Sequence, residues 1–343
     1  MSANLGGVTI GVESDSGMTL RKKALLIMGV ALILSVALVY IASRLVLLED
    51  LSNIEDNEAH KNVERVLNAL YRSISDLESL TLDWAARDDT YAFIETGDKQ
   101  YIQTNLVGSS YSNLRLNIML FINTSGDIVF GRAVDLDKEK EISMSPSLQK
   151  YIADKRPLFE QPGTEGSKSG IVLFDEGPML IASQPILTSN KEGPARGTLI
   201  FGRYLNSSEV NRLAQLTILR MHILPVRGLS ARSDFAQASV PLLAGGVPIF
   251  TRALNAQSIA GYTVIRDIYG DPALILRVDS PRDIYQQGEV SIAYYILTVL
   301  GLGIIVAGVT FLLVQTQVFT RLTKLIRGVA HVSETGDLST RLS

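Results

Sequence analysis

Two apolar runs limit what this 343-residue chain can form. Residues 24–43 carry no charge and lie between Lys23 and Arg44, while residues 290–319 lie between Glu289 and Arg321 and are apolar through their central part. A helix needs about 20 residues to cross a hydrocarbon core of about 30 Å, so each run predicts a transmembrane helix. The first exceeds the ~7–15 residues of a signal-peptide core and no A-x-A-like cleavage site follows it, so it reads as an uncleaved anchor. Arg21, Lys22 and Lys23 precede the first run, Arg321, Lys324 and Arg327 follow the second, and Glu49 and Asp50 stand on the opposite side. The positive-inside rule then predicts a two-pass protein of the bacterial inner membrane, both termini cytoplasmic and residues 48–289 in the periplasm.

The rest of the composition mostly excludes. With no cysteine, disulfides, thiolate chemistry and cysteine metal sites are ruled out. The outer segment must therefore hold together by its core alone. The net charge of −3 distinguishes no partner, and no nucleic-acid partner is expected. Of the three histidines, His60, His222 and His331, none is spaced for metal binding, and HExxH is absent. Gly166-Ser167-Lys168-Ser169 lacks the spacing of a phosphate loop, and Gly301-Leu302-Gly303 lies inside an apolar run. No catalysis, metal or cofactor is expected of these residues.

Residues 1–20 are Gly/Ser-rich without periodicity and predict a disordered cytoplasmic tail. Residues 21–47 are assigned to the first span. From Leu51 apolar residues recur at helical spacing, and Val63, Leu67, Leu70, Ile74, Leu77, Thr81 and Trp84 alternate steps of four and three. That is a heptad seam. It predicts either a stalk helix over about 50–95 that pairs with a second copy, or an amphipathic helix lying on its own domain. A polar run, residues 55–61, interrupts it.

Strand signals follow. Residues 117–123 (NIMLFIN) and 128–132 flank Thr124-Ser125-Gly126-Asp127 and predict a β-hairpin. Further strands are expected over 170–174, 179–187, 198–204, 221–226, 258–267 and 273–278, with helices near 145–152 and 207–216, the latter capped by Asn206 or Ser207. The fold class is α+β: a PAS/Cache-like antiparallel sheet over about 115–280 with a long N-terminal helix, set between two transmembrane helices. In the second span Gly303 and Ala307 form a small-xxx-small pair suited to close helix contact.

Asp83-Trp84-Ala85-Ala86-Arg87-Asp88-Asp89-Thr90-Tyr91-Ala92-Phe93 resembles the DWAxWDDxYxF signature of the fourth CHASE-type family, extracellular sensory domains of prokaryotic transmembrane receptors. Arg87 stands where that signature has its second aromatic residue. The resemblance extends through residues 199–205 and 278–285, covering about 50–288. Residues 322–338, ending in Gly336-Asp337-Leu338, resemble the first helix and turn of a HAMP linker, assigned to 320–343. These resemblances imply an input module that senses a small extracellular ligand. It would act as a homodimer in the membrane, relaying helix displacement to an output beyond residue 343, a cyclic di-GMP enzyme first and a histidine kinase next. The alternative is a membrane-anchored module that binds a periplasmic protein or envelope component.

The ligand-binding candidates are Trp84, Asp88, Asp89, Tyr91, Arg115, Arg203 and Tyr204. Trp84 is either the packing anchor between helix and sheet or a stacking surface. Asp88 and Asp89 diverge by about 100° on a helix, so only one can face inward. An inward carboxylate requires a partner, either structural (Arg115, Arg203 or Arg282, or a helix-end cap) or a ligand cation. Arg282, Gly303, Ala307, Gly336 and Asp337 are the signal-relay candidates.

Overall fold

The computed structural model describes residues 20–154, 166–229 and 233–316. The N-terminal tail and the HAMP-like segment, including Gly336 and Asp337, lie outside the described residues. The chain divides into two units, residues 1–52 with 284–343, and residues 53–283.

The first unit holds α1 (Leu20–Ala42), a π-helical turn (Ser43–Leu47), the first residues of α2 (Leu48–Ala85) and nearly all of α9 (Asp283–Val314). Two of the described helices are long and apolar enough to cross a membrane. Their apolar side chains point outward: Ile33, Leu38, Leu297 and Ile305 are all exposed. Gly303 lies against Leu32 of α1 with no room for a Cβ, so the small residue lets two helices of one chain approach.

The second unit carries most of α2, then α3 (Asp88–Thr96), α4 (Lys99–Asn105) and α5 (Gly108–Leu114). A six-stranded antiparallel sheet follows, in the order β3-β2-β1-β6-β5-β4. Its strands are β1 (Ile118–Asn123), β2 (Ile128–Asp135), β3 (Lys140–Ile142), β4 (Lys168–Phe174), β5 (Gly177–Pro185) and β6 (Gly197–Tyr204), with α6 (Pro146–Ala153) inserted before β4. After α7 (Ser207–Thr217) comes a four-stranded antiparallel sheet, β7-β10-β9-β8. It comprises β7 (Arg220–Pro225), β8 (Phe250–Ala253), β9 (Ser258–Arg266) and β10 (Pro272–Pro281), with α8 (Asp234–Leu243) between β7 and β8.

The α+β class, its antiparallel sheets and the long N-terminal helix agree with the sequence. Two details differ, the sheet and the end of the long helix. One sheet was expected over 115–280, and two are present. The long helix ends at Ala85 instead of near residue 95, because Ala86 forms a parallel bridge with Leu187 and Arg87 is extended. Helix resumes at Asp88, where two carboxylates sit in the first turn and complement its dipole.

Of the two readings of the heptad seam, the helix lying on its own domain is the one observed. Val63, Leu70, Ile74, Leu77 and Thr81 are buried in the domain's own core, against both sheets. The seam is the inner stripe of an amphipathic helix and is not available to pair with a second copy. β1 explains the unbroken apolar run NIMLFIN. Met119 and Phe121 join α2 in the main core, while Ile118, Leu120 and Ile122 enter a second core with Leu148 and Tyr151 of α6. Both faces of this central strand are covered, and successive side chains alternate between them.

Gly261 of β9 brings α2 onto the second sheet. A Cβ there would stand 2.6 Å from Val63 Cγ2 and 3.2 Å from the Ala59 carbonyl oxygen. Overpacking of a core costs about 1–3 kcal/mol, so Gly261→Ala is expected to lower the urea midpoint accordingly. Fluorescence of Trp84, the single tryptophan, reports it.

Candidate functional site

The signature segment forms a clamp. Trp84 is half-buried, edge-on to Phe201 of β6 with ring centroids 6.0 Å apart. The Arg87 guanidinium lies 4.8 Å over the Trp84 ring and bonds to Asp83 at 2.8 Å. A cation thus covers the tryptophan where the signature has an aromatic ring.

Asp88 and Asp89 are both exposed. The expectation that one of them pairs inward with an arginine fails, because α3 begins at these residues and presents both to solvent. Asp88 Oδ1 accepts from the Ser189 backbone N–H at 3.0 Å, and the Asp88 N–H donates to Ser189 Oγ at 3.2 Å. The Ser189 backbone bond, then that of its side chain, hold the Asp88 carboxyl below the usual range. Asp89 Oδ1 accepts from the Thr90 N–H at 2.8 Å. The helix-end role among the alternatives is the one observed. Tyr91 donates to the Pro194 carbonyl at 3.2 Å, and its ring lies 3.9 Å from the Arg196 guanidinium. Asp88 and Tyr91 therefore fasten the β5–β6 connection to α3.

The arginines gather elsewhere. Glu209 in the first turn of α7 is 4% exposed and carries ion pairs to Arg115, Arg203 and Arg212. Arg203 Nε donates to the Arg115 carbonyl at 2.8 Å and its Nη2 to the Leu114 carbonyl at 3.2 Å. Ser73 of α2 completes the network: its hydroxyl donates to Glu209 at 3.4 Å and accepts from Arg203 at 3.3 Å and Arg212 at 3.2 Å. Burial alone would push Glu209 up, but the Arg212 hydrogen bond and the three guanidinium charges hold it below the usual carboxylate range. The sequence offered one signal here, the Asn206…Glu209 spacing of a helix start. Asn206 Oδ1 accepts from the Glu209 N–H at 3.0 Å. Nothing in the sequence pairs Glu209 with residues 115 and 203.

Two cavities adjoin at this place. The smaller, about 330 Å³, is lined by Arg115, Arg203, Arg212 and Glu209. The larger, about 750 Å³, lies against Ile118, Ala133 and Met144 of the core on the sheet face opposite α2, and Val134 and Leu205 of the α2-side core also line it. Asn117, Asp137, Tyr204 and Asn206 line both. Small-molecule sites are concave, mostly apolar and roughly 300–1,000 Å³ in volume, with a few convergent polar groups, which describes the larger cavity. Of the residues proposed from sequence, Arg115, Arg203 and Tyr204 meet here, whereas Trp84, Asp88, Asp89 and Tyr91 do not. The sequence missed Asp135, Asp137 and Glu176, because each sits in a turn or strand end that carries no motif.

Arg282 follows β10. Its Nε donates to Glu55 Oε2 of α2 at 2.8 Å, and Glu55 is 3% exposed. Asn62 Nδ2 donates to Ser280 Oγ at 2.9 Å close by. The polar run 55–61 that breaks the seam thus contains the partner of the chain's exit.

Residues 69–224 match the CHASE4 domain. Over 318 residues the chain is 26% identical to the methanogenesis regulatory histidine kinase FilI of Methanothrix harundinacea, covering 92% of this chain and 35% of that protein. The chain therefore spans about a third of this relative's length. Among solved structures, the extracellular domain of the histidine kinase vpHK1S-Z8 is similar at 13% identity and a TM-score of 0.46, covering 70% of this chain and 95% of that one. The periplasmic domain of LuxQ from Vibrio cholerae is similar at 11% identity and a TM-score of 0.42, covering 65% and 99%. Residues 69–224 thus match a CHASE4 domain, a CHASE-type extracellular sensory domain.

Proposed function

We propose that the chain is the extracytoplasmic ligand-sensing input part of a prokaryotic transmembrane receptor. The observation that carries this is a CHASE4 domain bracketed in sequence by two helices long and apolar enough to cross a membrane. Lys22 and Lys23 mark the cytoplasmic end of α1. Tyr40, Tyr294 and Tyr295 are exposed near the ends of α1 and α9 closest in sequence to the sensor, where an interfacial aromatic belt belongs. The cavity of about 750 Å³ is the ligand site, and its volume favours a small molecule over a protein partner.

The output, carried by residues beyond 343, is a histidine kinase. The relative FilI supports that choice ahead of a cyclic di-GMP enzyme, which the sequence resemblance placed first. Signal leaves through the Glu55–Arg282 pair and the HAMP-like segment with Gly336 and Asp337, with Gly303 and Ala307 allowing α9 to shift. A homodimer supplies the second copy against which α9 moves, and coupling requires a ligand that prefers one of two states.

A screen of thermal unfolding tests the reading, using the full chain in lipid nanodiscs against a panel of small metabolites. A ligand present at 100 times its Kd stabilises by about 2.7 kcal/mol, a shift of several degrees. At least one such shift is expected, removed by Ser143→Trp, which fills the cavity mouth. No shift across the panel, with an envelope protein co-purifying, would favour an anchored interaction module.

A further inference from the structure

The two cavities differ in charge. In the smaller one Arg115, Arg203 and Arg212 all pair with Glu209, Asp137 and Glu139 share the lining, and Arg203 is further held by two backbone carbonyls. The larger cavity is lined by Asp135, Asp137 and Glu176 and by no lysine or arginine. Asp135 pairs with the exposed Lys138 at 2.9 Å. Among the described residues Asp137 and Glu176 have no ion-pair partner. Asp137 Oδ1 accepts from Ser208 Oγ at 2.8 Å, and Glu176 accepts from Ser147. The Ser147 hydroxyl holds Glu176 below the usual carboxylate range, so it is ionised at neutral pH.

These carboxylates do not converge on a point. Among the described residues no three His, Asp or Glu side chains stand close enough together to hold a metal ion. Their charge is spread over the rim of an apolar floor, and an inorganic cation would leave that floor uncovered. An organic cation satisfies both. Tyr204, which lines the cavity and is half-buried, offers a ring to the same charge.

We infer that the cavity of about 750 Å³ takes a small organic amine, its apolar body on Ile118, Ala133 and Met144 and its ammonium drawn to the acidic rim of Asp137 and Glu176. This rests on the reading of the cavity as the ligand site. The two claims separate experimentally. The full chain in nanodiscs is titrated by calorimetry with matched probes: phenethylamine and putrescine, 2-phenylethanol, and phenylacetate. Amine binding is expected, absent for the alcohol and the acid.

A charge-assisted hydrogen bond at a partly exposed rim is worth roughly fivefold to thirtyfold in affinity, and that loss is expected for Asp137→Asn and for Glu176→Gln. Asp98→Asn, in the cap of α4, should change nothing, and circular dichroism establishes that each variant is folded. If phenylacetate or the alcohol binds and Ser143→Trp abolishes it, the amine class is overturned and the site stands. If amines bind with unchanged affinity in Ser143→Trp and both carboxylate variants, the site itself is overturned. Binding by none of the probes would overturn the amine class.

Discussion

Glu209→Gln is expected to destabilise the sensor by about 3–5 kcal/mol, since removing one partner of a buried ion pair strands the other. Here the stranded group is a cluster. Arg203 keeps only 10% of its side chain exposed and would face Arg115 and Arg212 with no anion between them. The carbonyls of residues 114 and 115 still accept from Arg203, but they carry no net charge. The Gln amide oxygen can still accept from Ser73 of α2, but its NH2 is a donor where the second carboxylate oxygen accepted from the guanidiniums. The measurement is urea unfolding followed by Trp84 fluorescence.

The pH dependence follows from the sign of the shift. Glu209 titrates lower in the folded protein than its ordinary value of 4.5, so its contribution is fully present above that value. It is lost as pH falls through the lower folded value. Wild type should therefore lose stability below about pH 4.5 more steeply than Glu209→Gln. Parallel acid limbs would show that the carboxylate is not the anion of this cluster.

Glu55→Ala carries the second large effect. Arg282 is 11% exposed at its side chain and Glu55 2%, so the pair is nearly dry. Breaking it costs about 3–5 kcal/mol by the same reasoning, whereas replacing both partners with apolar residues is often neutral or stabilising. Glu55→Leu/Arg282→Met should therefore recover most of the stability lost in Glu55→Ala. Hydrogen exchange would localise the damage: amides near residues 55–62 and 278–282 should lose protection first, because Asn62–Ser280 is the neighbouring link. In the receptor the double variant separates stability from relay. It is expected to fold and to respond weakly, since the tie between the domain's entry and exit then lacks its charge-assisted bond.

Much of this architecture was legible because periodicity is local. The two long apolar helices, the hairpin with its Ser-Gly-Asp turn, and six further strands were readable from runs, alternation and turn residues. Other elements escaped: β3, β8, α4 and α5 are too brief to show a period, and α8 carries Pro241 within its last turn. The seam of α2 showed which face is buried but not against what, since a heptad stripe reads alike on a partner helix and on a sheet. The break at Ala86 depended on a bridge to Leu187, 101 residues away in sequence.

The site was less legible for the same reason. Trp84, Asp88 and Tyr91 stood out as a motif, and the structure gives them a fastening role between α3 and the β5–β6 connection. Arg115, Arg203 and Tyr204 were singled out as partners and wall, and they do line the cavities, although the acid they surround is Glu209. Of the rim carboxylates, Asp135 and Asp137 come from the end of β2 and the turn after it and Glu176 from the β4–β5 turn, and they acquire meaning only when these are brought to one face.

The central claim, a sensory domain held outside the membrane between two spans, is tested most directly by cysteine accessibility. The chain has no cysteine, so single replacements report without background. Ser143→Cys in the sensor and Ser14→Cys in the N-terminal segment are labelled with a membrane-impermeant maleimide in intact spheroplasts and after lysis. The account predicts that Cys at position 143 is modified in intact spheroplasts and Cys at position 14 only after lysis. Labelling of position 14 from outside, with position 143 protected until lysis, would contradict it.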